Sequence, residues 1–193
     1  NGGTLTFTTN NWNVAQAVVL TAALDLNTVN DQAVFTVASA GLTNQIVTAT
    51  QLDKDVQNLV LSTNAVFVPE GSTNSFTVRL NAQPTNNVTV TTTFTSGNPV
   101  LSVTNGGTLI FTTNNWNVAQ AVVLAAALDL NAVNDQAVFT VASAGLTNQT
   151  VTATQLDSDT QYLVVSTNAV SVPEGSTNSF TVRLSAQPTN NVT

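Results

Sequence analysis

The side chains in this 193-residue sequence that could do chemistry are its carboxylates, and they fall in a pattern. All ten acids occupy five recurring positions: Asp25 and Asp129, Asp31 and Asp135, Asp53 and Asp157, Asp55 and Asp159, Glu70 and Glu174. Positive charge comes from Lys54, Arg79 and Arg183 alone, which leaves a net charge of −7. Carboxylates gathered without cationic side chains repel one another. A hard cation relieves that repulsion, and Ca2+ is satisfied by about six to eight oxygens from carboxylates, amide side chains and carbonyls. Asn131 and Asn134 lie between Asp129 and Asp135 and could add amide oxygens. Any one of these acids alone reads as an ordinary solvated turn former; the set of five reads as a Ca2+ site.

Other chemistries lack their residues. There is no histidine to act as general base and no cysteine for a thiolate site or a disulfide. Ser and Thr are plentiful, but no Gly-Xaa-Ser-Xaa-Gly elbow occurs. A carboxylate pair for glycoside hydrolysis would have to come from the clustered acids, at a domain tip with no expected cleft. An enzyme is not expected. Three basic side chains cannot neutralise a phosphate backbone, which excludes nucleic acid as a partner. No apolar run is long enough to span a bilayer, and no signal peptide is visible.

The acids recur because the sequence does. Asn1-Gly2-Gly3-Thr4-Leu5 returns at Asn105, and the match continues without a gap until Thr193 aligns with Thr89. The copies differ at Thr6/Ile110, Thr21/Ala125, Thr28/Ala132, Ile46/Thr150, Lys54/Ser158, Val56/Thr160, Asn58/Tyr162, Leu61/Val165, Phe67/Ser171 and Asn81/Ser185. A period of 104 residues is a whole domain rather than a solenoid coil. Placing boundaries after each Leu-Asp-Xaa-Asp gives the back part of one repeat at 1–57, a complete repeat at 58–161 and the front strands of another at 162–193.

Charged residues are only 7% of the chain, and Thr, Val and Asn dominate, as suits half-buried strands joined by turns. Phe76, Val78 and Leu80 alternate with polar residues, as do Val88, Val90, Thr92 and Phe94. Shorter strands are expected at 100–103 and 108–112, with Asn105-Gly106-Gly107 between them as a hairpin signal. The stretch 119–128 is rich in Ala and Leu, yet no charged face could solvate a helix there, so a buried strand is expected. Strands over 136–141 and 149–156 complete an all-β, immunoglobulin-like antiparallel β-sandwich. In that architecture the five acids of the complete repeat converge on one end. Trp116 and its copy Trp12 stand beside a turn, where an indole plugs the end of a sandwich core; exposed, it would instead offer a sugar-stacking platform.

The residues that carry the pattern also resemble a known family. Val-Pro-Glu70-Gly, Gly107-Thr-Leu-Ile-Phe, Leu-Asp129-Leu-Asn131, Asn134-Asp135-Gln-Ala-Val-Phe139 and Val-Thr-Ala-Thr-Gln-Leu-Asp157-Ser-Asp159 follow the order of the Calx-beta domain over the whole repeat. The resemblance implies a Ca2+-binding immunoglobulin-like sandwich of exchanger regulatory regions and long extracellular repeat proteins. It implies ligand roles for Glu70, Asp129, Asp157 and Asp159, and for Asn134 or Asp135. The chain departs from the family where Ser96-Gly97-Asn98-Pro99 replaces a Gly-Ser-Asp-Tyr loop, and where the acidic run is thinned to Asp129-Leu130-Asn131. One ion per domain, or weak binding, is the expectation.

Together these readings point to a structural repeat of an extracellular or cell-surface stalk or filament, stiffened by Ca2+ at domain junctions. The register adds a partner: further copies of the same chain, head to tail. Asp25, Asp31, Asp53 and Asp55 make a site without its glutamate, whereas Glu174 is a glutamate without its site, so one chain's tail would complete the next chain's first repeat. The alternatives are a carbohydrate-binding accessory module of a secreted polysaccharide-degrading protein, with a glycan as partner, or an adhesin spacer.

Overall fold

A computed structural model describes residues 3–193; Asn1 and Gly2, which open the repeated motif, lie outside the described residues. The described residues form strands and turns with no helix. The chain divides into two compact units, Asn1–Lys54 and Asp55–Thr193.

In the first unit, β1 (Gln32–Val37) and β2 (Gln45–Thr50) form an antiparallel hairpin with Gln32 opposite Thr50. The second unit contains the sandwich. One sheet has the order β4 (Ala65–Pro69), β11 (Gln149–Leu156), β10 (Gln136–Ala142), β6 (Val88–Gly97), β8 (Thr108–Phe111). The other has β3 (Leu59–Leu61), β5 (Thr73–Leu80), β9 (Gln120–Ala126), β7 (Leu101–Asn105). All pairs are antiparallel except β4 with β11, which run parallel. A second small hairpin pairs β12 (Leu163–Val165) with β13 (Val182–Leu184).

Period-two alternation places the core. Phe76, Val78 and Leu80 point inward from β5, Val122, Leu124 and Ala126 from β9, Ala137, Phe139 and Val141 from β10, and Val151 and Ala153 from β11. Each buried Val, Leu or Phe contributes about 1.5–3 kcal/mol. The Ala-rich segment is strand β9, as its lack of a charged face suggested: β5 and β7 pair with its two edges, and Val122, Leu124 and Ala126 fill the inward face. Trp116 is half-buried and packs against the core, while its backbone carbonyl accepts the Leu80 amide at 2.8 Å.

The Asn-Gly-Gly segment is not a hairpin. It carries the chain from β7 in one sheet to β8 in the other. Gly106 adopts φ 70°, and a Cβ there would lie 2.1 Å from the Ala121 carbonyl oxygen. The glycine is needed as the hairpin reading supposed, but for a close passage past β9 while changing sheets. Strand β6 runs through Gly97, with Thr95 bulged opposite β10.

Candidate metal site

Three strand ends meet at one tip of the sandwich. The turn after β4 carries Glu70, and backbone bonds fasten it on both sides: the Glu70 amide donates to the Leu156 carbonyl (2.9 Å) and the Gly71 amide to Ala126 (3.0 Å). Gly71 takes φ 68°, which lets the chain turn sharply beside Leu128. The ends of β9 and β11 thereby deliver Asp129 and Asp157 to the same place. Glu70, Asp129 and Asp157, all half-buried, each offer a carboxylate oxygen within 4.8 Å of the others.

Hydrogen bonds orient the three acids. Glu70 Oε1 accepts the Asp129 amide at 2.7 Å, and its Oε2 accepts the Ser158 hydroxyl at 2.7 Å and amide at 3.3 Å. Those donors, the Asp129 amide first, hold the Glu70 carboxyl below the usual glutamate range. Asp129 Oδ1 accepts from the Asn131 amide (2.9 Å) and side chain (2.7 Å), and Oδ2 from Gln155 Nε2 (3.2 Å). Asp157 Oδ1 accepts the Asp159 amide at 2.7 Å. Asp159 is exposed and stands outside the trio, yet loss of water around its carboxyl, then the charges of Glu70, Asp157 and Asp129, raise its pKa. With so much of the residue in solvent, the neighbouring charges are the cause a cation would remove.

Not every expected ligand is available to an ion. The Asn134 side-chain oxygen accepts the Asp157 amide at 2.8 Å, so it shapes the loop instead of facing the trio. The Asn131 amide group is turned to Asp129 as a donor. Asp135 sits at the start of β10, where its carbonyl accepts the Gln155 amide at 2.8 Å, and it is not one of the trio. In the first unit, Asp25 repeats the Asp129 arrangement: Oδ1 accepts the Asn27 amide (3.0 Å) and Oδ2 accepts Gln51 Nε2 (3.0 Å). The Asp31 carbonyl accepts the Gln51 amide (2.8 Å), and the Asp53 amide bonds Asn30 (2.6 Å). Asp55 opens the second unit. Glu174 sits on an exposed turn and belongs to no three-carboxylate group among the described residues.

Gln155 was not among the expected site residues. It is fully buried, its Nε2 donates to the Ala127 carbonyl (3.1 Å) and to Asp129, and its Oε1 has no hydrogen-bond partner. The signal was present in the alternation: Val151, Ala153 and Gln155 are successive inward positions, and the last is polar. Asp157 Oδ2 and Asp135 Oδ2 are likewise buried and unpartnered. Buried acceptors without donors are costly. A cation would satisfy the Asp157 oxygen, and this all-oxygen donor set is that of a hard ion.

No family model matches the chain, and no curated protein matches it. Among solved structures it is similar to alpha-2-macroglobulin of Escherichia coli in its native conformation, with TM-score 0.36 and 10% identity. That likeness covers 70% of this chain and 9% of the other.

Proposed function

We propose that this chain is a structural repeat module of an extracellular stalk or filament whose junctions are stiffened by Ca2+ and whose partners are further copies of itself. The observation that carries the reading is the Glu70–Asp129–Asp157 trio, placed where β11 hands the chain on to β12. The loop that holds Asp129 also touches the chain beyond β13: the Gln187 amide donates to the Leu130 carbonyl at 2.5 Å, and Asn131 bridges to Gln187. An ion at the trio would fix this loop and, through Gln187, the segment that β12 and β13 begin. The near-identical copies, the charge-poor Thr- and Asn-rich composition, and the resemblance to Calx-beta repeats support the same reading. The glycan-binding alternative is less favoured at Trp116, which packs against the core, although its copy Trp12 is exposed and does not plug a core as expected.

Thermal melting of the chain in Ca2+ and in chelator tests the proposal, together with small-angle scattering under both conditions. A higher midpoint and a narrower distribution of lengths in Ca2+ are expected. Superimposable curves would overturn the Ca2+ role.

A further inference from the structure

Among the described residues, three buried side-chain oxygens lack a hydrogen-bond donor: Gln155 Oε1, Asp135 Oδ2 and Asp157 Oδ2. They occupy neighbouring positions at one end of one sheet. Gln155 and Asp157 continue the inward series of Val151 and Ala153 along β11, and Asp135 continues that of Ala137 and Phe139 on β10. The Gln155 backbone amide bonds the Asp135 carbonyl, so those two residues are cross-strand neighbours. Buried polar atoms find partners nearly everywhere in folded proteins. Three acceptors left over side by side mark a place for a donor or a cation, and here they lie beside Glu70 and Asp129.

We infer that Gln155 is itself a ligand of the cation at the trio, its Oε1 being the neutral, inward oxygen of the coordination shell. This rests on the Ca2+ reading of the proposed function and adds to that site a residue that carries no charge. The amide group is already set in position. Its Nε2 donates to Asp129 Oδ2 (3.2 Å) and to the Ala127 carbonyl (3.1 Å), which fixes the group within reach of the trio and leaves Oε1 as its one unused atom. Gln155 is fully buried, so that oxygen has no access to bulk solvent. The pose is set by local sequence, since Gln51 Nε2 makes the same two bonds, to the Ala23 carbonyl (2.8 Å) and to Asp25 Oδ2 (3.0 Å).

The three carboxylates alone make a thin shell. Both Glu70 oxygens, both Asp129 oxygens and Asp157 Oδ1 already accept hydrogen bonds, and only Asp157 Oδ2 accepts none. A carboxylate oxygen can serve a donor and an ion together, but Ca2+ takes about six to eight oxygens, more than three groups supply at one each. A buried amide oxygen raises the coordination number without a fourth negative charge. It also carries the ion's hold inward, because Gln155 shares its face of β11 with the core residues Val151 and Ala153. An ion so held is tied to the sandwich core as well as to its loops.

The test compares the unsubstituted full chain with Gln155→Leu and Gln155→Glu, in titrations with Ca2+ and with Tb3+, whose luminescence lifetimes in H2O and D2O count bound water. Leu removes both the donor and the oxygen, whereas Glu removes the donor and keeps an oxygen. Gln155→Leu should lose about tenfold or more in affinity for both ions and admit about one more water to Tb3+. Gln155→Glu should keep the water count and bind at least as tightly as the unsubstituted chain. Equal losses in both variants would make Nε2 the working atom, a brace for Asp129, and overturn the ligand assignment. No change in either would overturn it as well, leaving the ion at the trio and an ordered water on Oε1. Absence of saturable binding by the unsubstituted chain would instead remove the Ca2+ reading itself, and this assignment with it. If either variant is unfolded in chelator by circular dichroism, the unsubstituted chain decides: Ca2+ should shift the NMR signal of the Gln155 side-chain carbonyl carbon together with those of the trio carboxyl carbons. A shift confined to the carboxyl carbons would overturn the assignment.

Discussion

Residues 3–54 and 107–158 are nearly the same sequence in two surroundings. They differ at Thr6, Thr21, Thr28, Ile46 and Lys54, yet one stretch forms four consecutive strands of a sandwich and the other forms a single hairpin. What they share is local. The β1–β2 hairpin has the register of β10–β11, with Gln32 opposite Thr50 as Gln136 is opposite Thr154. Thr8 and Asn11 make the turn that Thr112 and Asn115 make, and Gln51 reaches Asp25 as Gln155 reaches Asp129. What differs is everything that needs a distant partner. The counterpart of β9 forms no strand without those of β5 and β7 beside it. Phe35 is 40% exposed where Phe139 is fully buried. Strand propensity and turn chemistry therefore suffice for a hairpin, while the remaining strands exist only as a consequence of pairing.

That contrast can be broken by substitution. Phe139→Ala should cost about 3–5 kcal/mol in chemical denaturation, by lost transfer energy and a cavity, and Phe35→Ala about 0.5 kcal/mol or less, as a surface change does. Equal costs would mean that the first unit buries its hairpin in solution. Gly106→Ala should cost about 1–3 kcal/mol, because positive φ and the Ala121 carbonyl both oppose a Cβ. Gly41→Ala and Gly145→Ala sharpen the comparison. Their φ values are 79° and 77° and neither has a neighbour within 4 Å, so both should cost about 1 kcal/mol from strain alone.

Ion binding should separate the regions next. Ca2+ at one hundred times its Kd stabilises by about 2.7 kcal/mol, and Asp157→Asn should remove the shift in melting midpoint that accompanies it. Asp25→Asn should leave most of that shift in place at protein concentrations where the chain is monomeric. The smallest effects are those of pH. Glu70 is depressed by its donors, so the stability it contributes is complete above the ordinary glutamate range and is lost as pH falls through its lower native value. Asp159 is raised, so the stability associated with it is complete below the ordinary aspartate range and is lost as pH rises through its higher native value. Asp159→Asn should accordingly raise the neutral-pH melting midpoint in chelator and by less in Ca2+.

The amino-acid sequence made most strands of the second unit legible because inward apolar and outward polar residues alternate, whereas the almost uniformly apolar β9 was legible only because no charged face could solvate a helix there. It also showed where the acids would gather, since Glu70, Asp129 and Asp157 each come after a strand. It could not show that Asn134 is spent on the Asp157 amide, because an amide oxygen serves a backbone donor and an ion equally well. Gln155 was hidden among residues that read as strand filler. The Asn-Gly-Gly segment misled for a related reason: positive φ at a glycine serves a sheet-to-sheet crossing as well as a hairpin. Nor could 16–22 and 120–126 have been told apart, because the deciding information lies in other strands.

The parallel pairing of β4 with β11 sets how the sandwich meets tension. Ala65 lies beside Thr152 and Pro69 beside Leu156, so the first strand of that sheet enters at the end opposite to the one where the last strand leaves. A pull along the chain drags the two strands past each other and loads their hydrogen bonds together, not one after another as in peeling a hairpin. A string of such modules would hold its length under drag until a whole strand pair slips at once.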